Sequence, residues 1–234
     1  MKFKIDFKIF EKFPGLTIGV VICKNLNNFG TEKEVQAEIR TQEQKIRAEY
    51  DLETLSQTPK IAVWRKTYST FGAKPKENKS SVENLYRLIL QDVNLKSINT
   101  LVDIYNLISI RNMVPVGGED LDTIQGDVML TFAEPNEPVV LLLGDKEQKP
   151  PHPGEVIYKD AISAICRRWN WREADRTKLT EKTKNCFLVI EGLLPVTKQE
   201  IETATIDLKE LVQRFCGGNV SHLILDERKT ETDL

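Results

Sequence analysis

The run CRRWNWREADRTKLT, residues 166–180, interleaves arginines with tryptophans. From Cys166 to Lys184 the chain holds seven cations against three anions. Arginine stacks on aromatic faces and forks to phosphate or carboxylate. Arg167, Arg168, Arg172 and Arg176 are therefore candidate phosphate contacts, and Trp169 and Trp171 candidate stacking surfaces for a nucleic-acid base. On an extended strand Ile165, Arg167, Trp169 and Trp171 would share one side, with Cys166, Arg168 and Asn170 on the other. The competing reading is a sheet edge whose tryptophans are core and whose cations are solvated. Residues 60–79 form a second basic stretch, six cations against one anion.

A different chemistry is suggested by NTLVDIYNLISIRNMVPVGGEDLDTIQGD, residues 99–127. Helical spacing brings Asp103, Asn106 and Ser109 close together. The Gly117-Gly118 pair would let backbone come very close to a ligand. Glu119, Asp120 and Asp122 crowd carboxylates beside it. The same acids could equally be solvated turn residues. Other chemistries find no foothold. There is no GxSxG, Walker A, HExxH or GxGxxG motif. The two histidines, His152 and His222, and four scattered cysteines form no metal cluster, and no cofactor is implied. Cys166 could be paired with a histidine in space, but a buried small hydrophobe is the favoured reading.

These residues must be positioned by a mixture of strands and helices. Residues 16–23, 128–132, 138–143, 155–158, 162–169 and 186–191 read as strands, and HLILD from His222 as a closing one. Thr31–Glu34, Ser80 with Glu83, and Thr197 with Glu200 read as capping boxes. The first opens a helix to about Leu55. The second precedes Leu85, Leu88 and Ile89, and the third opens a helix that Gly217-Gly218 ends. Leu101, Ile104, Tyr105 and Ile108 mark another helix. Residues 60–79 read as a loop-rich connector. The expected class is α+β, with mixed sheets and packed helices, in a single domain over 1–234.

Composition sets the outer limits. With 234 residues, 40% apolar and 29% charged, the chain can bury a sizeable core, and a net charge of −2 does not suit a non-specific nucleic-acid coat. No apolar run approaches the ~20 residues that span a bilayer. The N-terminal MKFKIDFKIF lacks a signal-peptide core. Together with the unpatterned cysteines, this leads to the expectation of a cytoplasmic protein with reduced thiols and no membrane partner.

The segment SINTLVDIYNLISIRNMVPVGGEDLDTIQGD resembles the start of the B3/B4 editing module of the phenylalanyl-tRNA synthetase β subunit. Asn99, Val102-Asp103, Asn106, Pro115, Asp120-Leu121-Asp122 and Gly126 match that family's ordered pattern. The run from Gly154 to Glu191 is more similar to free-standing members of the family. The likeness covers about residues 60–192 and implies a module that hydrolyses a wrongly attached amino acid from tRNA. Asn106 carries over as a contact to the aminoacyl or ribose end. Gly117 stands where the synthetase module has histidine, so a preference for tyrosine does not carry over. Trp169 or Trp171 could fill the space of a phenol ring, which favours a smaller or more polar residue such as serine.

The expected function is trans-editing: water-mediated hydrolysis of a mischarged aminoacyl-tRNA, without a covalent nucleophile. For such an ester the N–H groups around Gly117-Gly118 could receive the developing oxyanion and Glu119 or Asp120 could hold the water, while the basic stretches would meet the tRNA acceptor end. The alternatives are a non-catalytic RNA-binding module of the same fold, and a hydrolase or binder of a free small amino-acid derivative.

Overall fold

Val20 and Val21 point to opposite faces of one strand, and both are fully buried. A strand buried on both faces requires a layer on each side of its sheet, and a computed structural model of residues 1–234 shows them. The chain begins with β1 (Lys2–Ile5), α1 (Phe7–Lys12), β2 (Thr17–Lys24) and α2 (Lys33–Glu49). Next come α3 (Pro59–Thr70), α4 (Ser81–Leu90), α5 (Thr100–Asn112), β3 (Val116–Asp120) and β4 (Val128–Phe132). The second half holds β5 (Val156–Lys159), β6 (Ala164–Arg167), β7 (Arg172–Glu173) and β8 (Cys186–Gly192). It closes with α6 (Lys198–Cys216), β9 (Asn219–Leu225) and β10 (Glu231–Asp233).

The central layer is an antiparallel four-stranded sheet, β3-β8-β2-β9. Val21, Cys23, Leu188 and Ile190 face the helices and share a core with Ile104, Ile108, Ile201 and Leu208. Ile18, Val20, Phe187 and Val189 face the other way. They pack on the six-stranded sheet β10-β1-β4-β5-β6-β7, in a second core that includes Phe3, Leu130, Tyr158 and Trp169. The β1–β4 pair is parallel and the other pairs antiparallel, which makes this sheet mixed. The class is α+β. No helix is long and apolar enough to cross a membrane.

Several local expectations are corrected. Residues 59–70 are the helix α3, not a connector; Pro59 occupies its first turn, and Ile61, Trp64 and Tyr68 face the interior. The Thr31–Glu34 box does not form, because α2 starts after Glu32 with no side-chain cap, and it ends at Glu49 rather than near Leu55. Ser80 does cap α4, but Glu83 turns to Arg65 and Arg87 instead of closing a box. Thr197 and Glu200 form a complete capping box. Residues 138–143 contribute only the isolated bridges Val140–Lys149 and Leu142–Ala174.

Candidate functional site

The arginine–tryptophan run leaves the extended conformation just after Arg167. Arg168 and Trp169 have φ of 48° and 67°. These left-handed residues turn the chain from β6 into β7, so the expected alternation stops at Arg167. Trp169 goes inward and is fully buried, with edge contacts to Phe13 at 4.9 Å and Trp64 at 5.2 Å between ring centroids. Its Nε1 donates to Glu191 Oε1 at 2.8 Å. Trp171 stays near the surface, with the Arg168 Cζ 4.2 Å and the Arg172 Cζ 5.3 Å from its ring centroid. Trp169 therefore offers no face to a base, whereas Trp171 carries a guanidinium and stays partly exposed.

The arginines also find protein partners. Arg167 is buried and bonds Glu155 twice, at 2.8 and 2.9 Å. Arg172 pairs with Asp145 at 2.9 Å, and Arg176 with Asp160 at 2.9 and 3.0 Å. Arg168 is the exception, since its closest carboxylate, Glu155, is 3.9 Å away. Among the candidate arginines Arg167, Arg172 and Arg176 thus have structural roles that the sequence did not show.

A cavity of about 250 Å³ opens between the two sheets, beside α4 and α5. Asn106, Gly117, Gly118, Glu119, Trp169, Trp171 and Arg172 line it, as expected candidates brought together. Asp120 does not. Its carboxylate accepts from Thr183 Oγ1 at 2.6 Å and from the Asp122 N–H at 3.0 Å, capping the turn that follows β3. Of the polar helix residues Asp103 is taken by the Ile98 N–H and Ser97, and Ser109 donates to Val114 O, so Asn106 alone reaches the cavity.

Gly117 and Gly118 lie in a strand, β3, not a loop, and their roles differ. A Cβ on Gly118 would lie 2.7 Å from the Phe187 carbonyl oxygen, which only glycine avoids. A Cβ on Gly117 would meet nothing within 4 Å, so the space beside it is open. The β3–β8 register pairs Gly117 with Val189 and Glu119 with Phe187. Glu191 N–H to Pro115 O, and Leu121 N–H to Asn185 O, show which pairs of this ladder are bonded. By alternation the Gly117 N–H is spent on β8, while the Gly118 N–H points to the open edge. One backbone donor is left for a ligand, rather than two.

The cavity also gathers acids, of which Glu173 and Glu191 were not among the expected candidates. Glu119 and Glu191 are nearly fully buried, and Glu173 joins them from β7. Burial pushes the Glu119 carboxyl well above its usual range, and the charge of Glu173 adds to the effect. Its Oε2 has no hydrogen-bond partner, nor has the neighbouring Thr177 hydroxyl. Burial raises Glu173 to about 7, with Lys178 opposing. Glu191 is also raised to about 7 by burial, opposed by its bonds from Tyr158, Asn170 and Trp169. The Asn170 bond measures 2.7 Å, and Asn170 in turn accepts from the Tyr68 hydroxyl at 2.8 Å. Cys166 projects among these carboxyls. Its thiol is pushed well up, by burial and then by Glu119, Glu173 and Glu191, which disfavours a nucleophilic thiolate. Neither histidine lines this cavity. Glu173 and Glu191 had no distinguishing signal in the sequence, since isolated glutamates are common.

A three-layered α+β module, with an acid-lined cavity where β3, β7 and β8 meet, is the class that fold and site define. Residues 63–217 match the family model of the B3/4 domain, and the chain belongs to that family. Among solved structures it is similar to an N-terminal fragment of the phenylalanyl-tRNA synthetase β subunit from Pyrococcus horikoshii, with 13% identity and a TM-score of 0.48. The match covers 96% of this chain and 54% of that one, so the chain spans about half the fragment's length. No curated protein matches it.

Proposed function

We propose that the cavity receives the aminoacyl end of a mischarged tRNA and hydrolyses its ester in trans. The observation carrying this reading is the Glu119–Glu173 pair, two acids of raised pKa on a cavity of about 250 Å³ in a B3/4 chain. At neutral pH Glu173 is poised to accept a proton, as a general base should be. Glu119, held well above the usual carboxyl range by burial, donates a hydrogen bond when protonated. In this scheme Glu173 takes a proton from water as the water oxygen bonds to the ester carbonyl carbon. Glu119 and the Gly118 N–H stabilise the oxyanion. The bond from carbon to the ribose oxygen then breaks, and Glu173 returns the proton to that oxygen. Free amino acid and tRNA are the products. Asn106, on α5, holds the aminoacyl or ribose end.

One observation favours a second reading, a free amino-acid derivative as substrate. The arginine surplus that pointed to nucleic acid is largely matched by Glu155, Asp145 and Asp160. Single-turnover deacylation over a panel of mischarged tRNAs, from serine to tyrosine, tests the first reading, with uncharged-tRNA affinity measured beside it. Release above the spontaneous rate for at least one member, slowed in Glu173→Gln, is the expected result. Binding without turnover would mark a non-catalytic module. Neither binding nor turnover would leave the small-substrate reading.

A further inference from the structure

Trp171 is a wall shared by two depressions. One is the acidic cavity. The other is a groove of about 360 Å³ on its far side, where Arg167, Arg168, Lys149 and His152 meet Val140 and Leu142. Most of the groove's charges are already matched. Glu155 is occupied by Arg167 and by the His152 N–H at 3.1 Å, and Asp145 by Arg172. Lys149 has Glu147 at 3.5 Å, a largely exposed pair of little energetic weight.

Arg168 is left over. Its side chain is only 14% exposed, yet the nearest carboxylate is 3.9 Å away and already taken. A guanidinium carries five N–H donors and remains charged in proteins. Here it rests on the Trp171 ring at 4.2 Å and makes no hydrogen bond within the chain. Burial lowers its pKa and Glu155 offsets this only in part. The backbone that places it is costly too. Arg168 and Trp169 are consecutive non-glycine residues at positive φ, a conformation that persists where surroundings enforce it and that clusters at ligand sites.

We infer that this groove is an anion site, in which Arg168, held over the Trp171 ring, forks to a phosphate group while Lys149 and His152 stand at the rim. The phosphate could belong to a polynucleotide end or to a free mononucleotide. Only the polynucleotide source rests on the deacylase reading; the phosphate chemistry does not.

Calorimetric titration with inorganic phosphate, AMP, the trinucleotide CCA and uncharged tRNA, at several salt concentrations, tests this. Arg168→Ala should weaken AMP and CCA binding at least tenfold. It should also flatten the salt dependence of tRNA affinity by about 0.7 log units, the share of a single neutralised phosphate. Arg168→Lys, which keeps charge without the fork, should fall between. If the alanine variant does not fold, Arg168→Met keeps an apolar stem over Trp171 and serves in its place. CCA bound far more tightly than AMP identifies a polynucleotide; equal binding identifies a mononucleotide phosphate. The site is overturned if wild type binds none of the four probes, or if a folded Arg168 variant keeps full affinity and salt slope. Deacylation measured on the same samples separates the two ideas: an inactive protein whose phosphate binding depends on Arg168 retains the anion site and loses only the deacylase reading.

Discussion

On one side of Trp171, Glu119, Glu173 and Glu191 crowd a cavity; on the other, Arg167 and Glu155 form a buried pair behind a groove. Both regions place ionisable groups out of water, and they meet the cost differently. A buried carboxyl can hold its proton and become neutral, as the raised pKa values of the three acids show. Arginine has no such escape, because it stays charged, and it must be paired or stacked. The acidic cavity is therefore the more sensitive of the two to pH. The arginine groove is held by charge pairing and is suited to binding rather than to proton transfer.

The hardest blow to this contrast falls on the pair behind the groove. Arg167→Ala leaves Glu155 buried without its bidentate partner, and breaking such a pair costs about 3–5 kcal/mol. Denaturant unfolding should show that loss, and a near-neutral result would mean that the buried pair adds no net stability. Next comes Glu173→Gln, for which single-turnover deacylation should slow about 10²-fold, the lower range for loss of a general base. An undiminished rate would remove Glu173 from proton transfer.

A smaller effect sharpens the comparison through pH. The folded pKa of Glu173 lies above its unfolded value of 4.5, at about 7. Unfolding releases that proton within this window, so the Glu173 contribution to stability is fully present below 4.5 and is lost as pH rises through 7. Glu200, which is lowered to about 2 by the Thr197 backbone and then Lys60, acts in the opposite sense but below 4.5, outside the window. Thermal melts from pH 5 to 8 should fall for wild type. The fall should be reduced by on the order of 1–2 kcal/mol in Glu173→Gln. Identical profiles would show that the carboxyl is solvated. The least effect is expected from Arg172→Ala. Its pair with Asp145 is partly exposed, 33% and 37%, so the loss of stability should stay below about 1 kcal/mol. A cost equal to that of Arg167→Ala would erase the distinction between paired core and paired surface.

Much of the scaffold is legible along the chain. Residues 128–132 and 186–191 alternate or run apolar as strands do, and β4 and β8 fall there. Thr197 and Glu200 cap α6 because both partners lie within one turn. The helix α3 is hidden because Pro59, Gly72, Pro75 and six cations read as a connector, although Ile61, Trp64 and Tyr68 keep helical spacing. For the site, Asn106, Gly117, Gly118 and Glu119 stand out by their ordered spacing. Glu173 and Glu191 carry no local pattern and reach the cavity from different sheets.

The sequence by itself determined the α+β class, most strands and helices, and membership of the B3/4 family, because these depend on periodicity and on ordered residues near one another along the chain. It also set the number of arginines between Cys166 and Lys184. Only the tertiary structure decided what those arginines do. Glu155, Asp145 and Asp160 lie 12, 27 and 16 residues from Arg167, Arg172 and Arg176, and folding brings them into contact. It also decided which carboxyls keep a proton, since protonation follows from burial and from charges a few ångströms away. Residue type supplies the charge, but its pairing and its pKa arise only once distant segments share one low-dielectric space.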